Sequence, residues 1–117
     1  KLMVKLIEEG FLNEERFAIA YTGGKFRMKS WGKKKIEQQL KAKGLSDYSI
    51  KKSMKEIDDA DYGKSLLTLL NKKAVTLKDK NIFTKKQKLS SFLIGKGYES
   101  EMVFKAVNDF FNGNMDE

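Results

Sequence analysis

Between Thr22 and Lys43 the chain carries Lys25, Arg27, Lys29, Lys33, Lys34, Lys35, Lys41 and Lys43 against one acid, Glu37, and so holds most of the net charge of +8. Clustered ammonium and guanidinium groups neutralise phosphates and displace their counterions without reading base sequence. Phe26, Met28 and Trp31 are interleaved with these cations, in what reads as the loop before a second helix. An exposed ring there would stack on a base or dock in a protein groove. The same residues also fit a solvated lysine face with Phe26 and Trp31 turned into the core, so the spacing leaves both places open to the rings. A smaller cluster, Lys85, Lys86 and Lys88, recurs at the equivalent place later in the chain. The candidate binding residues are therefore Lys25, Arg27, Lys29, Lys33, Lys34 and Lys35, with Lys85, Lys86 and Lys88 as a second patch. Their partner is expected to be nucleic acid or a protein–nucleic-acid assembly. Arg16 and Arg27 are the only arginines among 24 basic residues. Part of the basicity is thus a general lysine bias, and what marks residues 22–43 is their asymmetry.

Catalytic chemistry finds little to work with. The chain has no His and no Cys, which removes the commonest general base, the thiol nucleophile and thiolate metal sites. Glu14 and Glu15 are carboxylates at an expected helix start, where the macrodipole and capping account for them. Asp59-x-Asp61-x-Gly63 opens like a calcium loop, but Leu70 stands where the twelfth position needs a bidentate Glu. Neither a Walker-type nor a dinucleotide-type glycine loop is present, and Gly23-Gly24 reads as a helix end or hinge. No catalytic, cofactor or metal site is expected.

The elements that must position the cations are helices. At an offset of 53 residues Phe17 falls on Leu70, Ile36 on Leu89, Leu40 on Leu93, Lys43-Gly44 on Lys96-Gly97, Leu45 on Tyr98, Ile50 on Val103, Met54 on Val107 and Ile57 on Phe110. Such a match marks an internal repeat. In the first unit Asn13 caps a helix with Phe17, Ala20 and Tyr21 inward. A second helix carries Ile36 and Leu40 and stops at Gly44. A third starts near Ser46 with Ile50, Met54 and Ile57 on one face. The second unit runs through Leu66, Leu67, Leu69 and Leu70, restarts near Thr84 with Leu89, Phe92 and Leu93, ends at Gly97, and finishes from about Ser100 with Val103, Val107, Phe110 and Phe111. Residues 58–63 form the junction. The expected fold is all-α: tandem three-helix repeats over 13–58 and 59–117 in a curved, elongated arrangement, after a short leading helix over 1–12.

At 117 residues and 40% hydrophobic content the chain can build a modest core. The lack of Pro leaves every segment free to be helical. No apolar run reaches the roughly 18–20 residues that span a bilayer, the first residues do not resemble a signal peptide, and the lack of Cys fits a reducing compartment. The start at Lys1 rather than Met reads as a fragment.

Leu6-Ile7 followed by Gly10-Phe11-Leu12-Asn13-Glu14-Glu15-Arg16-Phe17-Ala18 resembles the signature of the RecX family. Gly32-x-x-x-Ile36-x-x-x-Leu40-x-x-x-Gly44-Leu45 resembles the second-helix pattern of that family, and Ser46 to Ile57 its closing helix. Phe92-Leu93 and Lys96-Gly97-Tyr98 are similar to its divergent final repeat, with Lys85 where the first unit has Gly32. The resemblance implies a non-enzymatic, cytoplasmic, monomeric regulator built of tandem three-helix repeats, here lacking the first. It implies binding to RecA filaments and, more weakly and non-specifically, to single- or double-stranded DNA. ATP hydrolysis, strand exchange and coprotease activity of RecA would be inhibited, moderating recombination and the SOS response. The runner-up expectation is a helical nucleic-acid-binding module that acts without RecA; a plain protein adaptor with an apolar docking face is a third.

Overall fold

The structure, a computed structural model, describes residues 13–116; the expected leading helix over 1–12 lies outside the described residues. Among the described residues six helices follow one another: α1 (Glu14–Lys29), α2 (Lys33–Ala42), α3 (Asp47–Met54), α4 (Asp59–Ala74), α5 (Ile82–Gly95) and α6 (Ser100–Asp116). They form two tandem three-helix units, with no strand among the described residues. Local chemistry sets most boundaries. Asn13, Ser46, Asp58 and Asn81 each accept a backbone N–H of the helix they precede, satisfying donors that the first turn leaves without a partner. Gly44 and Gly97 follow α2 and α5 at φ of 90° and 104°, a left-handed conformation that costs glycine nothing.

Five of the local expectations need correction. Gly23-Gly24 lies inside α1, not at its end. The helix runs on to Ser30, whose φ of 57° turns the chain and lets the Ser30 and Trp31 N–H groups return to the Phe26 and Lys25 carbonyls. Phe26 and Met28 therefore lie on helix, and only Trp31 is in the loop. In α1 the buried residues are Ala18, Thr22 and Gly23, whereas Ala20 is exposed. The helix expected near Thr84 begins at Ile82, because Asn81 takes the cap. Asp58–Gly63 is the cap and first turn of α4, so the link between units is shorter than the acidic run suggests.

The repeat itself is less regular than a single offset implies. Second and third helices recur at 53 residues, as the caps Lys43 and Lys96 show, but the first-helix caps Asn13 and Asp58 are 45 apart. Half of the extra residues lengthen the connection between α4 and α5, and half extend the start of α5 by about one turn. Phe17, in the first turn of α1, is thus no counterpart of Leu70, which lies deep in α4.

The packing follows residue size. In the first unit α1 lies mainly on α3, where Ala18, Thr22, Ser49 and Ser53 are small and buried. The Thr22 hydroxyl donates to Ser53 Oγ at 2.9 Å, and Ser53 donates to the Ile50 carbonyl at 2.7 Å. Ser53→Ala would leave the Thr22 hydroxyl buried without a partner, so urea unfolding should show a loss of about 1–3 kcal/mol. Glu14 crosses to the start of α3: its carboxylate accepts from the Ser46 hydroxyl and N–H. Hydrogen bonds from the Ser46 and Ser49 side chains hold it below the ordinary carboxylate range. Glu15 pairs with Lys52 at 3.0 Å. Both carboxylates thus tie α1 to α3. In the second unit α5 is central, with α4 and α6 packed on it over Leu66, Leu70, Leu89, Leu93, Val103 and Val107.

The units join end to end. Principal extents are 56 × 25 × 21 Å and the radius of gyration is 17.0 Å, against about 13 Å for a compact domain of some 100 residues. Tyr62 and Tyr98, both buried, stack at 5.0 Å, with Phe26 6.0 Å from Tyr62. Tyr62 Oη accepts the Lys33 N–H at 2.8 Å and donates to Glu99 Oε1 at 2.7 Å. The Tyr98 hydroxyl donates to the Ser30 carbonyl at 3.0 Å and lies 2.8 Å from Ser65 Oγ. Burial pushes the pKa of both phenols up, so they stay neutral. Every buried side-chain polar atom among the described residues has a partner.

Candidate functional site

The cations expected to act together sit on the last two turns of α1 and the first turn of α2. Helical geometry separates neighbours by about 100° per residue, so six cations in sequence do not make one face. Lys25 Nζ lies 5.0 Å from the Trp31 ring centroid and 5.4 Å from that of Tyr21. Lys35 Nζ is 4.5 Å from Trp31, and Lys43 Nζ is 5.5 Å from Tyr21. Both rings are half-buried against the core, and among the described residues none of these three lysines makes an ion pair. Among the described residues these three ammonium groups lie over two aromatic faces with no acidic partner.

The other cations are placed differently. Lys33 turns to the joint between units, 4.7 Å above the Tyr62 ring and 3.8 Å from Asp59 Oδ1. Arg27 folds back along its own helix, so a Cβ on Gly23 would stand 2.8 Å from its guanidinium nitrogens. Lys29 and Lys34 are exposed, and so is Met28. The first turn of α2 holds Lys33, Lys34 and Lys35 with no acid, against the sign the helix dipole favours. Two of its amides are occupied: Lys33 N–H by Tyr62 and Lys34 N–H by the Gly97 carbonyl at 2.8 Å. An anion at this end would be held by side chains.

On α5, Lys88 Nζ pairs with Asp79 at 2.9 Å, Lys86 Nζ lies 5.9 Å from the Phe111 ring, and Lys85 lines a hollow with Asn71, Leu77 and Phe110. Lys88 is thus neutralised, while Lys85 and Lys86 lie near the Phe110–Phe111 pair. Among the described residues no group of three or more carboxylates, His or Cys is arranged to hold a metal, and no helix is long and apolar enough to cross a membrane.

Two family models match this chain. Residues 13–54 match the second three-helix domain of RecX, and residues 61–107 match the third. The chain belongs to the RecX family. Similar curated proteins include the regulatory protein RecX of Bacillus cereus strain B4264 and that of Bacillus thuringiensis strain Al Hakam. Each is 25% identical over 117 residues, covering 100% of this chain and 43% of the relative. The chain thus spans less than half the length of these relatives. No solved structure matches it. RecX is by its description a regulatory family, and the two units here are its second and third domains.

In this chain Tyr21 and Lys43 join the candidate face without having been among the expected binding residues, and Trp31, which the sequence left open between core and ligand contact, lies in it. Two signals were available. Tyr21 and Lys25 are one helical turn apart, as are side chains that meet on one face, and Lys35 and Lys43 lie about two turns apart along α2. Trp31 could not be placed by spacing, because its ring is directed by the Ser30 turn and not by a helical period.

Proposed function

We propose that this chain is the regulatory portion of a RecX-type protein that binds RecA–DNA filaments and restrains RecA. ATP hydrolysis, strand exchange and coprotease activity would be reduced, and with them recombination and the SOS response. The reading is of a non-enzymatic, monomeric, cytoplasmic protein, with units 13–58 and 59–117 laid along the filament. The observation that carries it is the basic and aromatic face of Lys25, Lys35 and Lys43 around Tyr21 and Trp31, on a body 56 Å long in a RecX-family chain. Lys29, Lys34 and Arg27 extend the positive field beside it. Such a field speeds encounter with a polyanionic assembly, and the length lets one molecule touch more than one repeat of a helical partner.

The test is ATP hydrolysis by RecA on single-stranded DNA with increasing amounts of this chain. Inhibition is expected at levels too low to coat the DNA. Trp31 is the only tryptophan and lies between two lysines, so its emission should change on binding in the same titration. Unchanged hydrolysis together with tight binding to bare DNA would replace this reading with that of a nucleic-acid module acting without RecA. The rings beside free lysines favour that second reading, since base stacking on aromatic faces is how single strands are commonly held.

A further inference from the structure

The contact between the two units is made by backbone, and glycine makes it possible. The Gly32 N–H donates to the Lys96 carbonyl at 2.7 Å and the Lys34 N–H to that of Gly97 at 2.8 Å. A Cβ on Gly32 would fall 2.3 Å from the Gly97 carbonyl carbon and 2.4 Å from Tyr98 N. A Cβ on Gly97, already at φ +104°, would fall 2.4 Å from Lys35 Cβ. Neither obstacle is a flexible side-chain end, so the start of α2 and the α5–α6 turn are held at one separation. The Tyr62 and Tyr98 hydrogen bonds, to Lys33 N–H and the Ser30 carbonyl, close the same joint from the side. Helix α2 bears Lys35, and Lys43 caps its end, so the angle of the joint sets where the basic face lies relative to the second unit.

We propose that Gly32, with Gly97, Tyr62 and Tyr98, determines specificity: the joint fixes the angle between units so that the chain fits a partner of fixed helical spacing. A flexible strand adapts to either angle and gains nothing from it, whereas a rigid filament accepts only one. Preorganisation of this kind removes an ordering cost from binding. The inference rests on the filament reading above, and the experiment separates the two.

With no native cysteine, Tyr48→Cys and Phe83→Cys, both at exposed positions in different units, accept a pair of spin labels for distance measurement. Binding to RecA–DNA filaments and to a short single-stranded oligonucleotide is measured beside it. Gly32→Ala should shift or broaden the label distance and weaken filament binding about tenfold or more, leaving oligonucleotide binding within about twofold. Gly24→Ala, where a Cβ meets nothing within 4 Å, should change neither. If Gly32→Ala lowers helix content by circular dichroism, Tyr62→Phe decides, since it keeps the ring and removes two hydrogen bonds; it should broaden the distance and weaken filament binding in the same direction. A parent chain that does not bind filaments overturns the filament reading and this inference with it. A parent that binds, with a deciding variant whose distance changes but whose filament affinity does not, overturns the joint alone. An unchanged distance in the deciding variant overturns it equally.

Discussion

Reversing Lys25, Lys35 and Lys43 to Glu together should weaken binding to RecA–DNA filaments and to single-stranded DNA by about 100-fold near 0.1 M salt. The magnitude follows from three lysine–phosphate contacts at about 1 kcal/mol each, set below the roughly 1.5–3 kcal/mol of hydrogen bonds to charged groups because exposed charges are screened by salt, with each 1.4 kcal/mol a factor of about ten. Losing three phosphate contacts should also flatten the dependence of log affinity on log salt by about two, at roughly 0.7 per contact on a single strand. The fold should survive, because these lysines hold no ion pair among the described residues. Their contacts with Trp31 and Tyr21 are lost too, at about 0.5–1 kcal/mol for an exposed site. The corresponding Gln variant controls for this: it removes the same ring contacts without adding negative charge, and should show a smaller loss. Lys85, Lys86 and Lys88 reversed to Glu should cost less, since Lys88 is already neutralised by Asp79. Fluorescence titration across a salt series measures all three. Equal losses for the two reversed triads would mean that total charge governs binding, and the face around Trp31 would have no special role.

What the sequence discloses about this molecule is local. Asn13, Ser46, Gly44 and Gly97 act through bonds spanning a few residues, and each stands where its residue type indicated. The inward residues of α2, α3, α5 and α6 follow the helical period, because those helices have one apolar stripe. Helix α1 misled for two reasons. Its packing against α3 is close, so its buried positions are the small Ala18, Thr22 and Gly23, which hydropathy barely marks. Its glycine pair looked like an end, yet tertiary contacts on both sides of Gly23 outweigh a propensity cost of about 1 kcal/mol per glycine. The 53-residue match concealed a longer α4–α5 connection, since leucine-rich α4 offers an apolar partner at almost any offset. The basic site was legible as composition and not as direction: charge counts add along the chain, while successive side chains on a helix diverge by about 100°. The joint was out of reach. Its bond from Tyr98 to Ser30 spans 68 residues, and no periodicity connects them.

Tyr98 carries the largest expected effect on stability. It is 1% exposed and among the largest fully buried side chains, it stacks on Tyr62, and its hydroxyl reaches Ser30 in the other unit. Tyr98→Ala would remove an aromatic core side chain and leave a cavity, which costs about 3–5 kcal/mol, a large share of the roughly 5–15 kcal/mol that holds a domain folded. Tyr98→Phe keeps the ring and should cost about 1–2 kcal/mol, since the Ser30 carbonyl and Ser65 lose one partner. Tyr98→Leu separates two roles, because Leu45 occupies the corresponding place after α2 and is buried there. Leucine should restore much of the core packing of the second unit and none of the reach to Ser30. Its unfolding in urea should therefore be milder than that of the Ala variant. It should also become less cooperative, with Trp31 emission in the first unit and helix content across the chain no longer changing together. In the parent chain the two signals should coincide, because a joint with every polar group satisfied couples the units. Coincident transitions in Tyr98→Leu would show that backbone contacts at Gly32 and Gly97 suffice to couple the units, and the tyrosine would then serve the core alone.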